Sequence, residues 1–283
     1  MNTNRSFPWW GVALGIGCVG LLCIGILGVG GLAYFSVQKS STQLAPEAVS
    51  TIPLLLTQAA SSSAIPLLPE PTSSRSALTG SQQVDEDRLY DDFSSDALGW
   101  PVYDDGKTIL KYEEGQYSLQ VIEKDYYDWA YLPVDFNPVE LWFDMKGAAG
   151  AHPQDGTAGV FCQYRDEDNY YYVEFDLGEG SYVIGQYVGG KDIPLTPQND
   201  AGQYWQTADN FNTSPEAVNR IGVSCYPDTI VLVINSDWIK EVSTQAPLDK
   251  LGKAAFFVYS YPYAGKEGYK VYFDNVEAYK SVQ

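Results

Sequence analysis

The strongest constraint on this chain is a period-two alternation that recurs from residue 89 to its end. Val139, Leu141, Phe143 and Met145 alternate with Glu140, Trp142, Asp144 and Lys146. Successive side chains of a strand point to opposite faces, so this run reads as a strand with one buried and one wetter face. The same pattern appears in QYSLQVIE (116–123), TAGVFCQY (157–164), NYYYVEFD (169–176), SYVIGQYV (181–188), NRIGVSCY (219–226), TIVLVIN (229–235), KAAFFVYS (253–260) and YKVYFDNV (269–276). Asp-Glu-Asp-Asn, Gly-Glu-Gly, Pro-Asp and Gly-Lys turn signals separate the runs, and no stretch sustains a helical period. Many short strands at regular spacing predict an all-β fold of two antiparallel sheets packed face to face over 89–283.

The first part of the chain is different material. No charged side chain occurs from residue 6 to 38, and 9–37 is almost wholly apolar. At about 1.5 Å per residue this stretch is long enough to cross a hydrocarbon core of about 30 Å. It is expected to be a transmembrane helix behind a short cytoplasmic N-terminus, 1–8, with Trp9, Trp10 and Tyr34 at the membrane interfaces. A cleaved signal peptide ending near Gly31-Leu32-Ala33 is the alternative. Gly11-x-x-x-Gly15 offers a face for helix-mediated self-association, against the simpler role of a plain anchor. Residues 38–88 are rich in Ser, Thr, Pro and Ala, and proline interrupts the apolar pieces IPLLL and IPLLP, so this segment reads as a disordered linker.

After residue 89 the chain carries 13 Lys and Arg against 31 Asp and Glu, a balance of −18 out of a total of −19. Nucleic-acid phosphates need neutralising by cations, so this charge argues against a nucleic-acid partner. It suits a solvated surface, cation binding or a neutral partner.

The segments DDFSSDALGW (91–100), YRDEDNYYYVEFDLGEGSYVIG (164–185), NRIGVSCYPDTIVLVIN (219–235) and FDNV (273–276), in that order, resemble the concanavalin A-like, laminin G-like jelly rolls found behind a membrane anchor in many bacterial surface proteins. The 3-keto-disaccharide hydrolase domains share this architecture. The resemblance covers about 89–281 and implies a fold more than a function, because such folds serve lectins, glycosidases and spacer domains alike. Cys162 follows the parity of Val160, and Cys225 that of Ile221 and Val223, so both point inward. The resemblance implies that their strands lie close enough for a disulfide, which oxidising surroundings outside the cell would favour; two separate buried thiols are the alternative. The expected localisation is therefore a single-pass membrane protein with its C-terminal domain extracellular.

The segment RDEDNYYYVEFDLGEGSYVIG (165–185) carries the candidate site. Glu174, Asp176 and Glu179 resemble the carboxylate motif of retaining glucanases, whose nucleophile and acid flank the glycosidic bond about 5 Å apart. Glu174 and Asp176 share a face by alternation, but Glu179 reads as part of a glycine-flanked turn. The only histidine, His152, lies in a loop, so neither a Ser-His-Asp set nor a histidine-based zinc site can assemble. Asp166, Asp168 and Asn169 offer hard oxygens for calcium, although these residue types also build turns; no cofactor is required. Trp142, Tyr170, Tyr172, Glu174 and Asp176 point away from the core side of their strands. An aromatic ring packs on a pyranose face while carboxylates accept hydroxyl hydrogens, so the five form a candidate ligand-binding set unless a loop such as 191–215 covers them. The sequence thus favours a surface-exposed, non-catalytic binding or adhesion module with glycans as the leading ligand. A glycoside hydrolase of the same fold is one alternative; the other is a spacer or accessory subunit bound to an envelope protein.

Overall fold

The computed structural model describes residues 82–281 apart from 150–151, 215 and 249–251. The expected span at 9–37 and most of the expected linker lie outside the described residues. Among the described residues no helix is long and apolar enough to cross a membrane.

Seventeen strands are present in the described residues. The first seven are β1 (Gln83–Val84), β2 (Arg88–Asp91), β3 (Tyr103–Asp104), β4 (Thr108–Glu113), β5 (Gln116–Val121), β6 (Tyr126–Tyr131) and β7 (Val139–Gly147). Then come β8 (Gly156–Asp166), β9 (Asn169–Asp176), β10 (Ser181–Val188), β11 (Lys191–Pro194), β12 (Gln206–Thr207), β13 (Asn219–Cys225), β14 (Thr229–Ile234), β15 (Asp237–Ser243), β16 (Lys253–Ser260) and β17 (Tyr269–Lys280). They form two antiparallel sheets, as the alternation predicts. Sheet A runs β15-β14-β13-β7-β17-β5-β4-β3, with the β1–β2 pair added along β17; sheet B runs β11-β10-β9-β8-β16-β6, with β12 on β10. Strand pairing starts at Gln83, inside the segment that composition assigns to the linker.

The main core lies between the sheets. Leu141, Phe143 and Met145 of β7 and Phe273 of β17 meet Val160 of β8, Tyr171, Val173 and Phe175 of β9, and Phe256 of β16. The rings of Phe256 and Phe273 stack across the interface with centroids 4.2 Å apart. The motif DDFSSDALGW closes one end of this core. Buried Asp91 accepts hydrogen bonds from the Phe93 amide and from Trp100 Nε1, both at 2.8 Å, and Trp100 stacks on Phe256 with centroids at 5.5 Å. A buried carboxylate is tolerated only when such donors surround it.

Cys162 of β8 and Cys225 of β13 are joined by a disulfide, with their Cα atoms 6.3 Å apart. These strands are not neighbours within one sheet. The bridge crosses the core and links sheet B to sheet A, which both cysteines can reach because both point inward.

Candidate functional site

Parity sorts the side chains of sheet B. Val160, Tyr171, Val173, Phe175 and Phe256 enter the main core, so Phe161, Tyr170, Tyr172, Glu174, Asp176 and Phe257 stand on the outer face. The pairing arranges them in rows. Gly159 stands opposite Glu174 and Glu174 opposite Val183; one row over, Phe161 faces Tyr172 and Tyr172 faces Gly185.

One end of this face is aromatic. Phe161, Tyr164, Tyr170, Tyr172, Val183, Tyr187 and Phe257 form a second buried cluster, against which Trp205 packs from the segment between β11 and β12. Phe161 stacks on Phe257 at 4.2 Å and Tyr170 on Tyr187 at 5.2 Å. The Tyr172 hydroxyl donates to Asp192 Oδ1 at 2.7 Å.

This packing corrects the expected open platform. Tyr170 is 1% exposed, Tyr172 6% and Trp142 1%. Trp142 also belongs to sheet A, so it points away from Tyr170 and Tyr172 on the opposite outer face of the sandwich, and the three cannot line one groove. Its ring lies over Gly222 of the neighbouring strand, while its Nε1 donates to Glu140 Oε1 at 2.9 Å. Alternation assigns a side chain to a face but says nothing of what packs on that face, and a large ring settles readily over an adjacent glycine.

The other end of the outer face is polar. The Thr157 hydroxyl donates to Glu174 Oε1. Burial pushes the Glu174 carboxyl up to about 7; the charges of Asp192 and Asp176 add to this, and the Thr157 bond opposes it. The residue is only partly covered and keeps contact with solvent. Asp176 follows two residues along the same strand, and burial raises its carboxyl too. Its Oδ1 accepts the amides of Gly178 and Glu179, both at 2.9 Å, which caps the turn after β9. Glu179 is exposed on that turn. The Glu-x-Asp-x-x-Glu pattern is therefore split, with its first two carboxylates on the strand and the third at the tip.

Three tyrosines complete this end: Tyr259, on the parity of Phe257, and two that lie beyond the strand. The Tyr259 hydroxyl donates to Asp125 Oδ1 at 2.6 Å. Tyr261 and Tyr263 follow, with ring centroids 5.2 Å apart, and Tyr263 is 69% exposed. Burial, followed by the charges of Glu174 and Asp176, raises the Tyr261 hydroxyl well above its ordinary value, so it lies within electrostatic reach of both carboxylates. The signal lies in Tyr259-Ser-Tyr-Pro-Tyr263, where a two-residue spacing of tyrosines runs off the end of β16 into a proline turn.

The residues expected to hold calcium make a turn. Asp166 Oδ1 accepts the Asp168 amide at 3.0 Å and Asn169 Nδ2 at 2.7 Å, and Asn169 Oδ1 accepts the Gly189 amide at 3.3 Å. Among the described residues no group of three or more His, Cys, Asp or Glu side chains is arranged to hold a metal.

No family model matches this chain, and no curated protein matches it in sequence. Solved structures do share its fold. A β-glucanase of Bacillus licheniformis is similar with a TM-score of 0.51 at 11% identity, over 71% of this chain and all 100% of its own. A structure described as a native glycosidic hydrolase gives 0.51 at 12%, over 71% and 99%. A protein of unknown function with a galectin-like fold from Bacillus subtilis gives 0.51 at 11%, over 72% and 99%. At these identities the likeness is one of fold: the chain carries an all-β sandwich that glycan-hydrolysing proteins also use.

Proposed function

We propose that the domain acts on glycans at the polar end of the outer face of sheet B, by hydrolase-type acid–base chemistry centred on Glu174. The carrying observation is a carboxyl group held by Thr157, pushed up to about 7 by burial, and set on the outer sheet face at the end that carries half-buried Tyr261 and exposed Tyr263. A general acid must hold its proton near the working pH, which this environment provides. Two residues apart on one strand, Glu174 and Asp176 are separated by about 6.6 Å along the backbone. Glycoside hydrolysis uses such a pair of carboxyl groups, one as acid and one as its partner. In this reading Glu174 protonates the leaving oxygen and Asp176 supplies the second carboxylate. Tyr261 and Tyr263 offer rings to the sugar's apolar face. The shared fold with a glucanase supports the reading.

Reducing-end release from β-glucans by the full chain tests it. Glu174→Gln should abolish turnover while leaving polysaccharide binding in place. Absence of turnover from a broad β-glucan panel by the unaltered chain would refute the hydrolase reading. One observation favours a non-catalytic glycan-binding module instead: the turn occupies Asp176 Oδ1, and Glu179 stands out at the tip. In that case Glu174→Gln weakens affinity without any turnover to lose.

We further propose that 9–37 anchors the chain and that the domain lies outside the cell. Protease added to intact cells should release a fragment that begins within 38–82; recovery of the domain in the cytoplasm would overturn this.

A further inference from the structure

The opposite end of the outer face holds a cleft of about 520 Å³ between β6, β8 and β16, lined by Tyr131, Asp135, Asn137, Tyr164, Arg165 and Lys253, with Gly252 in its wall. Its size is that of a small-molecule site. Paired irregularities build it. β8 and β16 both shift register here, and Gln163 adopts φ +53°. Strict alternation from Val160 and Cys162 would send Tyr164 into the main core; the bulge sends it to the outer face instead. There Tyr164 packs beside Tyr131, with ring centroids 5.7 Å apart. The same shift sets Arg165 and Lys253 at the mouth, with Lys253 paired to Tyr164 in register. A side chain at Gly252 would collide with the Tyr164 backbone, so the close approach of the two strands requires glycine.

The chemistry of the lining is specific. The lining holds two cations, Arg165 and Lys253, with the carboxylate of Asp135, and Arg165 Nε also lies 3.5 Å from Asp166, in a domain whose overall balance is −18. Lys253 Nζ lies 3.7 Å from Asp135 and 5.5 Å above the Tyr131 ring. The Asn137 side chain donates from Nδ2 to the Gly252 carbonyl at 2.6 Å, and its buried Oδ1 has no protein partner. The cleft therefore combines a tyrosine ring, a carboxylate and two cations.

We infer that this cleft binds a carboxylate-bearing saccharide unit. Its apolar ring face rests against Tyr131, and its carboxylate meets Arg165 and Lys253. A planar guanidinium matches a carboxylate in two-pronged geometry, and an ammonium adds a point charge. The acidic domain repels anions at long range, so an acidic sugar needs such a local pair in order to dock. The inference does not depend on chemistry at Glu174.

Calorimetry on the full chain, with an oligogalacturonate and the same oligomer methyl-esterified, provides the test; a sialylated oligosaccharide run alongside identifies which acidic sugar supplies the carboxylate. At least one acidic form should bind, esterification should weaken uronate binding by about tenfold or more, and added salt should weaken binding of either acid. Lys253→Met and Arg165→Gln should each weaken binding by about tenfold with the unfolding midpoint unchanged, whereas Lys266→Met, at an exposed position outside the cleft, should have no effect. The bound acid should also shield Lys253 from amine acetylation. Equal affinity for acid and ester, failure of both acids to bind, or equal losses in the Lys266 variant would overturn the inference. Each of these results leaves β-glucan turnover and its dependence on Glu174 untouched, so the two readings fail separately.

Discussion

The ring of Tyr172 fills the space that a side chain at position 185 would occupy on the adjacent strand. Gly185 is thus the seat of that ring, which its bond to Asp192 then holds in place. Gly185→Ala should displace Tyr172 and cost about 1–3 kcal/mol, as overpacking of a filled interior does. Urea unfolding measures the loss, and a variant as stable as the parent would show that the ring is not seated there.

Glu174 makes stability depend on pH. Its folded carboxyl is raised from 4.5 to about 7, so the folded state holds the proton more tightly than the unfolded state. The contribution is fully present below about 4.5 and is lost as pH rises through about 7, amounting to about 3 kcal/mol for this group. Glu174→Gln cannot lose that proton. Denaturant unfolding at pH 5 and pH 8 should therefore show a smaller decline in the variant than in the parent. Equal declines would mean that the carboxyl is not buried.

The Cys162–Cys225 bridge closes a loop of 63 residues. On the loop-entropy account its removal costs about 4 kcal/mol. Unfolding of the oxidised chain and of a Cys162→Ser, Cys225→Ser double variant gives the difference directly. Thiol labelling of the native, unreduced chain should not modify either residue.

Tyr263 and Trp142 separate a ligand contact from packing. Tyr263 is 69% exposed, so Tyr263→Ala should weaken glycan affinity while leaving the unfolding midpoint nearly unchanged. Trp142 is buried, so Trp142→Ala should cost about 3–5 kcal/mol and leave affinity intact wherever the fold survives. The reverse pattern would move the sugar contact to sheet A.

Much of the sandwich is legible in the alternation. NYYYVEFD, SYVIGQYV and KAAFFVYS coincide with β9, β10 and β16, and the other alternating runs agree to within a few residues. Two of the longer strands that alternation misses have physical reasons. β6, YYDWAY, presents aromatic residues toward both faces and so shows no contrast between them. β15, DWIKEVS, is an exposed edge strand with little to bury.

The candidate site was half legible. The shared face of Glu174 and Asp176 follows from a spacing of two, but the covering of Tyr170 and Tyr172 depends on Gly185 and on neighbours far along the chain. Tyr164 reaches the outer face only through the bulge at Gln163, where a single positive φ reverses the parity. Tyr261 and Tyr263 lie past the last strand residue of β16, where parity no longer applies.

The pairing of β2 with β17 also settles how the domain meets a pull on its two ends. Arg88 lies opposite Tyr279 and Asp91 opposite Val276, so the start of β2 and the end of β17 meet at one end of an antiparallel ladder, while β1 folds back along β2 and sets Gln83 opposite Tyr90. Tension on the domain must first strip the two-residue β1 from β2; it then opens the β2–β17 ladder one pair at a time, as a zipper, instead of shearing all its hydrogen bonds at once. The two sheets would still be fastened to each other by the covalent bridge deeper in the core, so the outermost strands peel first under load while the face bearing Glu174 keeps its backing.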